Sequence, residues 1–151
     1  MASLLALTGT QPCRRLAPGE VLIAAGDEGG ELYVLEEGRL GVERGGVALA
    51  TIDEPGALVG EMAVLLGTDH SATVRAESAA TVRVIDNALA FLERTPLVAL
   101  HVATLACARL EATSALVVEL GREARGQGGE QGFLARIAAA LGATPPPSIR
   151  R

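Results

Sequence analysis

The chain has 151 residues, of which 49% are apolar, and its formal net charge is −5 at pH 7. This length and composition predict one domain that can bury a sizeable core, with room for an appended helix. The basic residues are all arginines and are scattered along the chain, which argues against a surface that follows nucleic acid phosphates.

Short β-type runs separated by turns fill residues 13–86, after a short N-terminal helix or arm predicted at 1–11. The predicted strands are 21–25, 31–37, 39–44, 47–52, 71–76 and 81–86. Gly45 and Gly46 form a two-residue hairpin signal, because glycine tolerates the positive φ that such turns need. Many short strands at this spacing predict a closed β-barrel or jelly roll, so the expected fold class is mainly β with α.

The hydrophobic period changes from 2 to 3.6 residues near residue 87. Asn87 can cap a short helix that runs to Arg94. Thr95 and Pro96 then supply the N-cap and the first residue of a long helix, 96–123. Its apolar residues cover more than one face, so one stripe can pack on the barrel while another contacts a partner helix. We therefore predict a homodimer through the 96–123 helix.

The end of the chain differs in composition from the rest. Residues 121–132 are rich in glycine and predict a flexible linker, and 133–141 could form a short amphipathic helix. We divide the chain into a domain at 1–123 and a linker with a short C-terminal helix and tail at 124–151. The residues after the long helix are too few for a winged or helix-turn-helix DNA-binding domain, so no nucleic acid partner is expected.

Cysteine usage and apolar runs indicate the compartment. Cys13 and Cys107 lie far apart, and no secretory signal opens the chain, so we expect two free thiols in a cytoplasmic protein. No uninterrupted apolar run approaches the ~20 residues that span a bilayer. His101 and Thr104 interrupt the stretch 97–108, and no membrane partner is expected.

The most informative segment is 60–76, with the sequence GEMAVLLGTDHSATVRA. It resembles the phosphate-binding cassette of cyclic nucleotide-binding domains, which reads roughly Gly-Glu-apolar-small-apolar, a short turn, then Pro-Arg-Ala-Ala-Thr-Val-x-Ala. This chain has Asp69 where the family has proline, and His70 where it has the phosphate-binding arginine. Glycine-punctuated hairpins upstream and the order of strands and helices extend the resemblance over residues 4–123.

The resemblance implies ligand roles for the first half of the cassette. Glu61 would accept hydrogen bonds from the ribose 2′-hydroxyl, which suits an ionised carboxylate; the alternative is a solvated turn residue. Gly60, Met62 and Ala63 would lie on a tight loop and short helix whose backbone amides point at the ligand.

The second half of the cassette would contact the cyclic phosphate through Ser71 and Ala72. Strand alternation puts His70 on the inward side with Ala72, and Arg75 on the opposite side, so Arg75 would not replace the missing arginine. Arginine offers a permanently charged fork, whereas a neutral histidine offers one donor. Losing a charge-assisted contact would remove roughly 1.5–3 kcal/mol, so a pocket that has lost its ligand is the alternative.

A second resemblance lies in the long helix. The sequence Arg-Leu-Glu-Ala-Thr-Ser at 109–114 is similar to a stretch of the long helix in catabolite-activator-type bacterial regulators. There an adjacent Thr-Ser pair meets the purine, one residue from each subunit. The resemblance implies this role for Thr113 and Ser114; the alternative is a polar pair on the solvent or dimer face.

These resemblances imply a stand-alone regulatory module that binds a cyclic purine nucleotide, cAMP rather than cGMP, and signals through its dimer helix to an unidentified effector protein. The alternative is a degenerate domain that serves only as a dimeric protein-interaction module. A metal-dependent enzyme would need clustered histidines and carboxylates, but His70 and His101 lie far apart and the chain has no lysine. We therefore expect no catalytic residue, no metal and no cofactor other than the nucleotide ligand.

Overall fold

A computed structural model describes residues 3–125 of the chain. The helices are α1 Leu4–Leu7, α2 Glu61–Leu66, α3 Ala88–Arg94 and α4 Pro96–Ala124. The strands are β1 Cys13–Leu16, β2 Val21–Ile23, β3 Leu32–Glu37, β4 Leu40–Arg44, β5 Val47–Ile52, β6 Leu58–Val59, β7 Thr73–Ala76 and β8 Ala80–Ile85.

The strands form two four-stranded antiparallel sheets with the orders β1-β8-β3-β6 and β2-β7-β4-β5. Neighbouring strands in each sheet are mostly distant in sequence, as a jelly roll requires, and the predicted mainly-β fold is confirmed. The two sheets enclose a buried cluster that we call the roll core. Its members are Leu16, Leu22, Ile23, Tyr33, Leu35, Leu40, Val59, Val74, Ala76, Ala80 and Val82.

A second buried cluster, the helical core, packs helices on the first sheet. Its members are Leu4, Leu32, Val34, Leu58, Val64, Ile85, Ala88, Leu92, Val98 and Val102. Strand β3 serves both cores, because Tyr33 and Leu35 face the roll interior while Leu32 and Val34 face the helices. Each such side chain contributes roughly 1.5–3 kcal/mol when fully buried, so β3 is a central stabilising element.

The structure contains the predicted turns and strands, with small shifts at the ends of the strands. Gly45 and Gly46 have φ of 59° and 79° and join β4 to β5, so the hairpin prediction is confirmed. Strands β1 and β6 were not singled out from the sequence. Only Leu16 is buried in β1, and β6 has only two residues, so neither carries a readable alternation.

The predicted helix starts are correct in position but not in capping chemistry. Asn87 precedes α3 with φ 47° and makes no side-chain cap hydrogen bond. The hydroxyl of Thr95 donates to the Phe91 carbonyl at 2.7 Å, so it satisfies the end of α3 instead of capping α4. Pro96 is the first residue of α4, as predicted, because proline lacks the N–H that a helix start leaves unpaired.

The chain divides into two compact units, the first ending at Leu105 and the second beginning at Ala106. In the first unit, α4 buries Val98 and Val102 in the helical core. In the second, its large apolar side chains are exposed: Leu110, Leu116, Val118 and Leu120. The predicted domain boundary at 123 stays a prediction. The linker was predicted to begin at 121, but α4 continues through Ala124, because one glycine among good helix formers costs a helix only about 1 kcal/mol. The remainder of the predicted linker and the C-terminal helix, from 126 onward, lie outside the described residues.

One helix in the described part of the chain, spanning Pro96–Arg122, is long and apolar enough to cross a membrane. The expectation of no apolar run approaching this length overlooked it, because His101 and Thr104 interrupt the run without making the helix polar. The same length and composition suit a soluble helix that packs against a partner. The absence of a membrane partner therefore stays a prediction.

Candidate functional site

The cassette begins at a turn that strongly favours glycine. Gly60 has φ 93°, a backbone conformation that side chains rarely adopt. A Cβ added there would lie 2.8 Å from the carbonyl oxygen of Glu31. This turn leads from β6 directly into α2, and the first amides of a helix have no carbonyl partner one turn earlier. The arrangement suits an anionic group placed beside Gly60.

Glu61, the first residue of α2, is only 5% exposed. The interpretation of Glu61 as a solvated turn residue is therefore wrong. Burial of a carboxylate is costly unless hydrogen bonds or charges compensate for the lost water. Of its neighbours, Ala63 is buried on the protein side of α2 and Met62 is exposed.

The loop between β2 and β3 packs closely against the cassette helix. A Cβ at Gly29 would lie 2.5 Å from the Cβ of Ala63, so a larger residue at Gly29 would displace α2. The side chain of Tyr33 donates a hydrogen bond to Glu31. Burial and this bond raise the pKa of Tyr33 above its ordinary value, so the phenol is neutral and acts as a donor. The loop therefore fixes where α2 begins.

The turn after α2 is fixed by backbone hydrogen bonds to the end of β2. The His70 amide donates to the Asp27 carbonyl at 2.9 Å, and the Gly26 amide donates to the His70 carbonyl at 2.8 Å. The Ala25 amide donates to the Thr73 hydroxyl at 3.1 Å. These contacts extend the β2–β7 pairing beyond the strands and hold the His70 backbone in one position.

The imidazole of His70 lies beside the turn at Gly60. A Cβ added at Gly60 would be 3.6 Å from His70 Cε1 and 3.7 Å from Ile23 Cδ1, and His70 itself is half-buried. The start of the cassette and the turn after α2 therefore lie side by side. Strand alternation does not strictly apply to His70, because β7 begins only at Thr73.

Arg75 is engaged elsewhere. Its Nη1 donates to the Gly19 carbonyl at 2.8 Å, while Val74 and Ala76 on either side are buried. The predicted alternation within β7 is thus confirmed, and Arg75 is bound to the turn between β1 and β2. Ser71, which is exposed, and Ala72, which is half-buried, lie between His70 and β7. Their phosphate contacts stay predictions.

Thr113 and Ser114 lie in the second unit, on α4. The Thr113 hydroxyl donates to the Arg109 carbonyl at 2.9 Å, a local bond that many helical threonines make. Thr113 is exposed and Ser114 is half-buried. Their contact with a purine stays a prediction.

Sequence reasoning missed the contacts that brace the cassette. The Glu31 carbonyl against Gly60, the Ile23 side chain beside it and the Gly29 packing on α2 all come from strands or loops distant in sequence. The pair Gly29-Gly30 is a signal for close backbone approach, but it does not reveal which element approaches. Among the described residues, no group of three or more histidine, cysteine or acidic side chains could hold a metal ion.

The model of the cyclic nucleotide-binding domain matches residues 13–92, more than half of the chain. The chain belongs to the cyclic nucleotide-binding domain family. The match runs from β1 into α3 and contains the whole cassette. The family is regulatory and non-enzymatic, so this is a cyclic nucleotide-binding regulatory domain.

Solved structures share the fold of this domain. The catabolite activator protein of Thermus thermophilus is 26% identical over 94% of this chain and 77% of that chain, with a TM-score of 0.67. The N-terminal domain of a transcriptional regulator from Streptomyces coelicolor A3(2) is 27% identical over 72% of this chain and 81% of that chain, with a TM-score of 0.55. PKAR CBD2 with bound Sp-2Cl-cAMPS is 22% identical over 73% and 71%, with a TM-score of 0.58, a likeness of fold.

Proposed function

We propose that this domain binds a cyclic purine nucleotide, cAMP rather than cGMP, at the place where Gly60, Glu61 and His70 meet. The observation that carries the proposal is the imidazole of His70 beside the Gly60 turn, at the start of the cassette helix. The preference for cAMP follows the resemblance to catabolite-activator-type regulators. The cytoplasm is the proposed compartment, and no enzymatic activity is proposed.

In this proposal, three sets of protein groups bind different parts of the nucleotide. The Glu61 carboxylate accepts from the ribose 2′-hydroxyl. The amides at the start of α2, with those of Ser71 and Ala72, surround the phosphate. The His70 side chain takes the place of the family's arginine, as a single donor that carries a full charge only when protonated.

Shared packing supports the coupling of nucleotide binding to the helices. Val64 on α2 belongs to the same buried cluster as Leu92 on α3 and as Val98 and Val102 on α4. Well-packed cores do not deform continuously. A shift of α2 on ligand binding would therefore change how α4 packs in the helical core. We propose that α4 carries this change to a homodimer and from there to an effector protein.

A degenerate domain that binds no nucleotide is the second candidate. The observation that favours it is the exposed carboxylate of Asp69 next to His70, where the family has proline and arginine. An acidic side chain at the phosphate end opposes anion binding. In that case, the domain would serve as a dimeric interaction module only.

Isothermal titration of nucleotide-stripped protein with cAMP and cGMP tests the proposal. With His70→Arg, we expect cAMP affinity to rise at least about tenfold, because a guanidinium adds a charge-assisted bond to phosphate. Thr10→Arg, on the exposed loop between α1 and β1, adds the same charge outside the cassette and should change affinity little. Unchanged affinity in His70→Arg would exclude His70 from the phosphate. No binding by either the original protein or His70→Arg at millimolar nucleotide would favour the degenerate domain.

A further inference from the structure

A cavity of about 400 Å³ opens between the loop 29–31, α2 and the start of α3. We call it the α2–α3 cavity. Its lining residues are Gly29, Gly30, Glu31, Ala63, Val64, Gly67, Asp86, Asn87 and Leu89. Of the candidate nucleotide-site residues, only Ala63 is among them. The cavity and the proposed nucleotide site therefore share Ala63 of the cassette helix and otherwise have different residues.

One large exposed apolar side chain lines this cavity, and two more lie on a neighbouring stripe of α2. Leu89 lines it and is 54% exposed. Met62 and Leu66 are 59% and 67% exposed, and they form one stripe of α2, one turn apart. That stripe adjoins the one formed by Ala63 and Gly67, which faces the cavity. Single exposed apolar residues are ordinary, but a group around a cavity marks an interaction surface.

The charge of the cavity is negative. Glu31 and Asp86 both line it, and none of its lining residues is basic. Glu31 also accepts a hydrogen bond from the hydroxyl of Tyr33. Burial, this bond and the charge of Glu31 raise the pKa of Tyr33, the charge of Arg14 lowers it, and the charge of Asp86 raises it to a smaller extent. Asp86 is exposed. Two carboxylates in the same cavity as the exposed Leu89 are complementary to a cation carried on an apolar segment.

We propose that the α2–α3 cavity docks a segment of the effector protein in which an arginine is flanked by aliphatic side chains. The guanidinium would pair with Asp86 and Glu31, since its planar fork matches carboxylate geometry. The aliphatic neighbours would cover Leu66 and Leu89. The inference rests on the proposed function, because the effector is the partner to which that module signals. Since α2 borders both sites, nucleotide and effector change each other's affinity by the same factor.

The probe is the peptide acetyl-Ala-Leu-Arg-Leu-Ala-amide, added to the full-length, nucleotide-stripped, ¹⁵N-labelled protein. We expect its binding to shift the amide resonances of Gly30, Asn87 and Leu89. Asp86→Asn should weaken binding about tenfold. Asp53→Asn, which neutralises an exposed carboxylate in the turn after β5, should leave binding unchanged. The matched peptide with glutamate in place of arginine should not bind.

The proposal would be overturned by no shift at millimolar peptide, by equal binding of the two peptides, or by unchanged binding in Asp86→Asn. If the same resonances shift with protein concentration alone, a second copy of the chain fills the cavity and the proposal is wrong. Titration with cAMP on the same samples keeps the two proposals apart. Peptide binding without cAMP binding rejects the nucleotide proposal only, and the reverse rejects the docking proposal only.

Discussion

At the scale of single residues, Gly60 controls the cassette. Its φ of 93° turns the chain from β6 into α2, and its missing side chain leaves room for the Glu31 carbonyl. Two independent requirements, backbone conformation and space, therefore select glycine. Gly19 meets only the first, because it has φ 85° and nothing within 4 Å of an added Cβ.

This difference gives a matched pair of variants. Gly60→Ala should lower the free energy of unfolding by more than Gly19→Ala does, because both acquire backbone strain of about 1–3 kcal/mol and only Gly60→Ala also acquires a steric clash. Urea denaturation followed by circular dichroism measures both. If both variants lose the same free energy of unfolding, the clash between the new Cβ at position 60 and the Glu31 carbonyl oxygen is relieved without a cost in stability.

Glu61 is the residue whose burial most constrains its role. Glu61→Gln keeps the shape but removes the charge that would attract the ribose hydroxyl. We expect roughly tenfold weaker binding of cAMP, since hydrogen bonds to charged groups are worth about 1.5–3 kcal/mol. Binding of 2′-deoxy-cAMP should change little. Parallel titrations of both nucleotides measure this, and equal losses for the two would exclude Glu61 from the ribose.

At the scale of elements, alternation of apolar residues predicted most strands, while the cassette helix was expected only from the resemblance to a family. Strand β3 could be predicted because its two faces enter two different cores. Strands β1 and β6 could not, since one has a single buried residue and the other only two residues. The position of the His70 ring beside the Gly60 turn depends on hydrogen bonds between the turn after β2 and the turn after α2, which no local pattern encodes.

The cassette helix is joined to the other helices by Val64. Val64→Ala removes two methyl groups from the helical core and should lower the free energy of unfolding by about 1–3 kcal/mol. The same change at Val47, which is exposed on β5, should stay within about 0.5 kcal/mol. Chemical denaturation measures both.

Val64→Ala should also weaken communication between the cassette and α4. In the original protein, we expect cAMP to alter hydrogen exchange at Val98 and Val102, and this response should shrink in Val64→Ala at saturating cAMP. A full response in a destabilised variant would show that Val64 stabilises the fold without transmitting the signal.

At the scale of the whole molecule, both buried clusters lie in the first unit, whereas the described part of α4 in the second unit exposes large apolar side chains. The helix α4 continues well beyond the residues that the helical core covers, with Leu110, Leu116 and Leu120 exposed. Contact between this much apolar surface and water is unfavourable. Exposed apolar area of this extent therefore normally marks an interface. Pairing with a second α4 would bury it.

Leu116→Glu tests that pairing. A charge at the centre of a helix–helix interface would have to be buried without a partner, so we expect the variant to be monomeric by light scattering at concentrations where the original protein is dimeric. Ala115→Glu, an exposed neighbour about 100° around the same helix, adds an equal charge to α4 and serves as the control. If Leu116→Glu stays dimeric, the interface lies elsewhere. If both variants become monomeric, the interface surrounds more of α4 than one stripe, and coupling from Val64 would act on a broader contact between subunits.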